Sequence, residues 1–304
     1  MAAGSKSTLN SSDRAGGAVR SEALPRGVDR PGGRQVARPI SFIFTLYGDM
    51  VHRLSGDGSL WIGALIRLMS SFDVSAPAVR QAVSRMTRQG WLFVRRDGNR
   101  ALYSVTERGR RRIEELSPRI YGPVIEWDGR WRLLSYAIGE AHRKRRERLR
   151  KELSALGWAQ LSPTTWISPS DTLAAAREAA EATRTLEAVN LFTSEYRGPL
   201  SDRALLERCW NVSEIASEYR AFIARYEPRL RREREGGALS DEAALIERLW
   251  LVHDYRKFAY ADPGLPSELL PAHWPGTAAA SLFREYYAAI DAKSQRYFHL
   301  CASV

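Results

Sequence analysis

One stretch limits the fold more than any other: a helix with one wholly apolar face, followed directly by a basic hairpin. Val79, Ala82, Val83 and Met86 recur at i, i+3, i+4 and i+7, so they bury one face of a helix over 75–89. Arg80, Gln81, Ser84, Arg85 and Arg88 fall largely outside that stripe. Ser75 is a good N-cap residue, Pro77 is tolerated in the first turn, and Gly90 stands where a C-cap glycine belongs. Trp91–Val94 and Ala101–Val105 then read as two strands, and the intervening Arg95–Arg100 contains an Asp-Gly turn.

The flanking residues extend this unit. Phe42, Ile43, Leu46, Tyr47 and Met50 have helical spacing within Pro39–Val51, Gly56-Asp57-Gly58 makes a turn, and Trp61–Phe72 carries a second apolar stripe. Thr106 caps a further helix bearing Arg108, Arg110, Arg111 and Arg112. Helix, helix, polar-faced helix, basic hairpin and helix is the order of a winged helix-turn-helix. A helix fits the major groove, where Arg and Gln reach base edges, and a basic wing can hold a nearby phosphate. Arg80, Gln81 and Ser84 are therefore the candidates for base edges, and Arg85, Arg88, Arg96 and Arg100 for phosphates. The competing reading is a small helical domain with a solvated arginine face.

Charge is distributed to match. The chain of 304 residues has a formal net charge of +11. Residues 37–118 carry 13 basic and 7 acidic side chains, and residues 119–170 carry 10 and 5. The last 134 residues carry 17 and 20, so the second half has some task other than neutralising phosphates. Arginine outnumbers lysine heavily, which suits bidentate phosphate contacts and equally a GC-rich genome. Two cysteines, Cys209 and Cys301, fit neither a metal site nor a disulfide framework, and a reduced cytoplasmic setting is expected, with nucleoid association on DNA. No stretch is long and apolar enough to span a bilayer, so no membrane partner is expected. Residues 1–37, rich in Gly, Ser, Ala and Arg, read as a disordered basic tail.

Beyond the first module (38–118), an α+β organisation is expected. Trp131–Ile138 reads as a strand, Ala141–Leu156 as a basic helix, Gly157–Leu161 and Thr165–Ile167 as strands, Leu173–Val189 as a helix, and Leu191–Thr193 as a strand. This β-α-β-β-α-β order is the ferredoxin-like arrangement, placed at 119–194. The cluster from His142 to Lys151 could track a DNA backbone, face another subunit or be solvated. Residues 195–304 read as a mostly helical effector and dimerisation domain, with helices near Asp202–Arg208, Val212–Glu235, Asp241–Phe258 and Thr277–Asp291. A proline-rich run, Asp262–His273, interrupts them.

Several runs carry a family resemblance: Phe44–Asp49, Leu60–Leu68, Ala78–Met86, Gln89–Leu92, Leu251–Phe258 and Asp262–Gly276. Together they resemble the PaaX family, repressors of phenylacetic acid degradation operons and their relatives, over about residues 38–300. The resemblance implies a central module similar to small CRISPR-associated nucleases. Those enzymes place a metal-binding aspartate at the end of the first strand, where this chain has Tyr136-Ala137-Ile138. Alanine cannot ligate Mg²⁺, so nuclease activity is not expected; no metal site and no cofactor are expected elsewhere in the chain either. The resemblance also implies release from a double-stranded operator by an aryl-CoA thioester such as phenylacetyl-CoA, and a homodimer on a partly palindromic site. His253, Tyr255, Arg256, Lys257 and Tyr260 are the candidate ligand or signal-coupling set, with helix packing as the plainer role for each. A regulator of another pathway, sensing a different acyl-CoA or a free acid, and an RNA-binding or nuclease-like protein remain alternatives.

Overall fold

The structure, a computed structural model, describes residues 36, 38–55, 57–122, 126–237, 239–262 and 264–303. Apart from Val36, the tail expected over 1–37 lies outside them. The fold is α+β, with two antiparallel sheets among the described residues.

The first module starts with α1 (Pro39–Leu46), which continues through one π-helical segment, Tyr47–Val51, into α2 (His52–Leu54). Strand β1 (Ser59–Trp61), α3 (Ile62–Ser70) and α4 (Ala76–Arg88) follow, then β2 (Leu92–Asp97), β3 (Arg100–Val105) and α5 (Glu107–Tyr121). The sheet order is β1-β3-β2. Strand β1 is an addition to the elements legible in sequence. Its three residues pair Ser59 with Ser104 and Trp61 with Leu102, too short a run to show an alternating pattern.

The central module runs β4 (Trp131–Tyr136), α6 (Arg143–Ala155), β5 (Ala159–Ser162), β6 (Thr165–Ser168), α7 (Leu173–Ala182) and β7 (Val189–Ser194). The antiparallel sheet is ordered β5-β6-β4-β7. The pleat of β4 divides its side chains between two cores. Leu134 and Tyr136 pack with Leu149, Leu153 and Ala176 beneath α6 and α7. Trp131 and Leu133 face the opposite way, toward the C-terminal helices. Arg132 is buried on the α7 side, held by Asp128 (2.7 Å) and Asp171 (3.4 Å).

Helix α7 ends seven residues before the expected Val189. Arg184 takes φ +56°, and Thr185 N–H bonds back to the Ala180 carbonyl (2.9 Å) while Arg184 N–H bonds to Glu181 (2.9 Å). This is a Schellman termination with arginine in the position usually held by glycine, so no local residue type announces it.

The C-terminal helices are α8 (Asp202–Cys209), α9 (Val212–Arg234), α10 (Asp241–Tyr255), α11 (Phe258–Ala261) and α12 (Pro275–Ala302). Helix α12 runs eleven residues beyond the expected Asp291, because Ser294, Phe298 and Cys301 continue the buried stripe of Phe283, Tyr286 and Ile290. Those extra turns matter for the architecture. Phe298 and Cys301, with Leu245, Leu249 and Trp250 of α10, share one core with Phe42, Leu46, Leu65, Leu68, Val83 and Met86. The first module therefore does not close its own core. It borrows the middle of α10 and the end of α12, so the apolar driving force for folding spans the chain.

Candidate nucleic-acid interface

Helix α4 is held at both ends by local chemistry. The Ser75 hydroxyl accepts the Ala78 N–H (3.4 Å), satisfying a free donor of the first turn. At the other end Trp91 N–H bonds to the Met86 carbonyl (2.9 Å) and Gly90 N–H to Thr87 (3.0 Å), with Gly90 at φ +72°. Val79, Val83 and Met86 are fully buried, as the periodicity predicts, and Ala82 nearly so.

Arg80, Gln81, Ser84, Arg85 and Arg88 are all exposed on the outer face. The helix contains no acidic residue, and its three arginines make no ion pair among the described residues. Helix α5 is different. Arg110 pairs with Glu107 (2.6 Å) and Glu114 (2.6 Å), Arg111 with Glu107 (2.9 Å), and Arg112 with Glu115 (3.0 Å). Two arginines beside it hold the Glu107 carboxyl below the usual carboxylate range. The two helices look alike in arginine content, yet only α4 leaves its guanidinium groups open to an outside anion.

The hairpin has the same division. Its loop is Gly98-Asn99, with Asp97 facing Arg100 across the strands. Arg95 is tied to Asp57 (3.1 Å), whose carboxyl is lowered first by the Ser59 hydroxyl. Arg100 lies over the Trp61 indole at 5.2 Å, a cation–π contact that fixes it on β1. Arg96 is exposed and makes no ion pair among the described residues.

Arg108, at the start of α5, joins the two parts. It donates to the Gln89 carbonyl (3.1 Å) and its guanidinium sits 4.2 Å from the Trp91 ring centroid. Thr106 Oγ1 also donates to the Gly90 carbonyl (2.7 Å). Sequence pattern marked Arg108 only as one more basic residue, since nothing local shows that its partner is the end of α4.

The candidate ligand residues are not gathered around one cavity. His253 Nδ1 lies 3.0 Å from the Thr45 hydroxyl, and its ring packs on Phe42. Tyr255 is buried, stacked on Phe283 at 4.1 Å, and burial pushes its phenol up to about 12. Arg256 reaches the Ser41 carbonyl (3.1 Å), and Lys257 pairs with Asp254 (3.2 Å). Tyr260 is exposed beneath Arg112. The segment thus binds α10 to α1, and of the five only Tyr255 lines the aromatic cavity formed with Tyr219, Phe258 and Trp274. Ala137 directly follows the last residue of β4, with its N–H bonded to the Ala188 carbonyl (2.9 Å). Among the described residues, no group of three acidic, histidine or cysteine side chains could hold a metal, and no helix is long and apolar enough to cross a membrane.

Comparison with known proteins places this architecture in a class, the three-module α+β transcriptional regulators. Residues 38–109 match the PaaX-like protein model, 125–206 the PaaX protein central Cas2-like domain, and 210–300 the PaaX-like protein C-terminal domain. The chain is 33% identical over 253 residues to the transcriptional repressor PaaX of Escherichia coli (strain K12), covering 81% of this chain and 78% of that one. It belongs to the PaaX family, a family of regulators and not of enzymes. The uncharacterized protein Rv0674 from Mycobacterium tuberculosis has a similar fold, with a TM-score of 0.51 at 21% identity over 84% of this chain and 96% of that one.

Proposed function

We propose that the chain is an effector-released transcriptional repressor, binding double-stranded operator DNA through a winged helix-turn-helix at 38–118. Helix α4 is the recognition helix and the β2–β3 hairpin the wing. The observation that carries this reading is the contrast between α4, whose arginines make no ion pair among the described residues, and α5, whose arginines are mostly paired. Arg80, Gln81 and Ser84 are assigned to base edges, and Arg85, Arg88, Arg96 and Arg100 to phosphates. The repressor acts as a homodimer whose two recognition helices match two half-sites.

The regulated genes are those of an aromatic-acid, phenylacetate-type catabolic pathway, and the effector is an aryl-CoA thioester such as phenylacetyl-CoA. Membership of the PaaX family and the near-neutral, aromatic-rich second half support this. Residues 119–194 and 195–304 then serve as the ferredoxin-like and the effector and dimerisation modules. Genome-wide mapping of bound DNA, followed by operator affinity with and without phenylacetyl-CoA, tests it. The expected result is one operator class near aromatic-acid genes and weaker binding with the thioester. Unchanged affinity across a panel of aryl-CoA thioesters eliminates that effector class.

A further inference from the structure

The far end of α5, away from α4, lines a cavity of about 210 Å³ where all three modules meet. Pro118, Arg119 and Gly122 come from α5 and its cap, Ser170 and Thr172 from the central module, and the remaining walls from the C-terminal helices and the proline-rich run. Those walls are aromatic. Tyr219 stacks on Phe258 at 3.9 Å, and Trp274 meets Tyr219 edge-on at 5.8 Å. Space is kept open by small residues of α12. A Cβ on Gly276 would come within 2.4 Å of Trp274 Nε1 and 3.0 Å of Tyr219, and Ala280 lies one turn further along.

The polar groups around the cavity are mostly committed. Asp262 accepts from Gly264 N–H (3.0 Å), Leu265 N–H (2.9 Å) and the Tyr219 hydroxyl (2.9 Å), so it anchors the wall. Arg119 donates to the carbonyls of Leu156 (3.0 Å) and Ala259 (3.1 Å). Arg284 is different: it is exposed at the rim, with only a long contact to the Ser281 hydroxyl (3.4 Å) and no ion pair among the described residues. Trp274 also lines a larger open trough of about 640 Å³ carrying Arg208 and Arg220, again exposed and without ion pairs among the described residues. In a half with more acids than bases, Arg284 at the aromatic cavity and Arg208 and Arg220 in the trough that shares Trp274 are open to an anion.

We propose that this cavity receives the aromatic ring of the effector, and that the effector's phosphate-bearing chain leaves past Arg284 toward the Arg208–Arg220 trough. A cavity of roughly 150 Å³ is enough for benzene, so the space is large enough for one substituted ring. Aromatic walls supply ring contacts, and the arginines supply charge-assisted hydrogen bonds to phosphates. The assignment rests on the reading of the chain as an aryl-CoA-responsive repressor, and adds where the thioester sits.

The test titrates the full-length protein with phenylacetyl-CoA and with free CoA by calorimetry, for the wild type, Ala280→Phe and Arg284→Ala. Unfolding temperatures are read in parallel. Wild type is expected to bind the thioester more tightly than free CoA. Ala280→Phe, which fills the cavity, should abolish that difference. Arg284→Ala, on an exposed side chain that folding does not need, should weaken both ligands by about tenfold. If both variants fold like wild type and bind the thioester with wild-type affinity, the site assignment falls while the effector reading stands. If wild type binds no thioester, both fall.

Discussion

Asp49 and Arg248, 199 positions apart in the chain, form an ion pair with both side chains almost wholly removed from water, at 2.7 Å. Asp49 sits in the π-helical segment after α1 and Arg248 in the middle of α10. Tyr121 at the end of α5 donates to the same carboxylate (3.0 Å), Tyr287 of α12 does so too (2.7 Å), and Arg248 also engages Asp291 and Ser294. One carboxylate thus joins four helices from both ends of the sequence. A buried pair is weak evidence of net stability, but removing one partner strands the other charge. Asp49→Ala and Arg248→Ala are each expected to lose about 3–5 kcal/mol in urea unfolding. The double variant should lose clearly less than the two losses added. Simple additivity would mean that the pair does not act as a unit.

Gly90 ends α4 with a positive φ, and a Cβ there would meet nothing within 4 Å. Its role is purely conformational. Gly90→Ala should therefore cost about 1–2 kcal/mol, from the left-handed backbone alone. Gly90→Asn should cost less, since asparagine tolerates that region. Equal losses in thermal unfolding would show that the space around Gly90 is tighter than it looks.

Both results bear on what could be read without coordinates. The capped, two-faced α4 and its hairpin were legible because Ser75, Pro77 and Gly90 punctuate a strict 3.6-residue pattern. The β-α-β-β-α-β order was legible for similar reasons. The end of α7 was not, since Arg184 carries the left-handed turn without a glycine to mark it. The last turns of α12 were missed because no breaker stands between Asp291 and Ala302 in either direction, so pattern alone could not decide. Long-range partnerships left no local signal at all. Asp49 and Arg248 look like ordinary surface charges in sequence, and residues such as Arg119, Tyr219, Trp274 and Arg284 are brought together only by tertiary packing.

The proposed division of labour between α4 and the hairpin gives opposite signatures for two arginines. Arg80→Ala should cost about 1–3 kcal/mol on the operator and narrow the gap between operator and random DNA, as loss of a base contact does. Arg96→Ala should weaken both DNAs alike, and reduce the slope of log affinity against log salt by about 1. Gel-shift titrations over a salt series on both DNAs separate the two. Identical signatures would remove the distinction between recognition helix and wing.

Asp262 sets a pH dependence whose sign is fixed by burial. Desolvation raises its carboxyl above the usual range, against hydrogen bonds from Leu265, Tyr219 and Gly264 and the field of Arg119. A carboxyl raised in the folded state favours folding most below its unfolded value of about 3.9, and that contribution is lost as pH climbs through the folded value. Asp262→Asn keeps the acceptor for both backbone N–H groups and does not titrate. The stability of wild type relative to Asp262→Asn should therefore fall as pH rises above about 4, then level off. Urea midpoints for both proteins across that range provide the measurement, and a difference that grows with pH would contradict the raised value.

The last relationship runs the length of α5, about 22 Å at 1.5 Å per residue. At its start, Arg108 and Thr106 grip the end of α4, and at its finish, Pro118, Arg119 and Gly122 line the aromatic cavity. A ligand that favours a different seat for the far end of α5 therefore changes the setting of α4, provided the near end stays gripped. Arg108→Ala releases the Gln89 carbonyl and the Trp91 stack while touching nothing in the cavity. It should leave phenylacetyl-CoA affinity unchanged and shrink any loss of operator affinity measured on adding the proposed thioester effector. Binding measured by calorimetry and release measured by fluorescence anisotropy on labelled operator separate the two effects. Full release from the Arg108→Ala protein would show that the signal reaches α4 by another route, with the Asp49–Arg248 junction, which touches α5 through Tyr121, next to be tested.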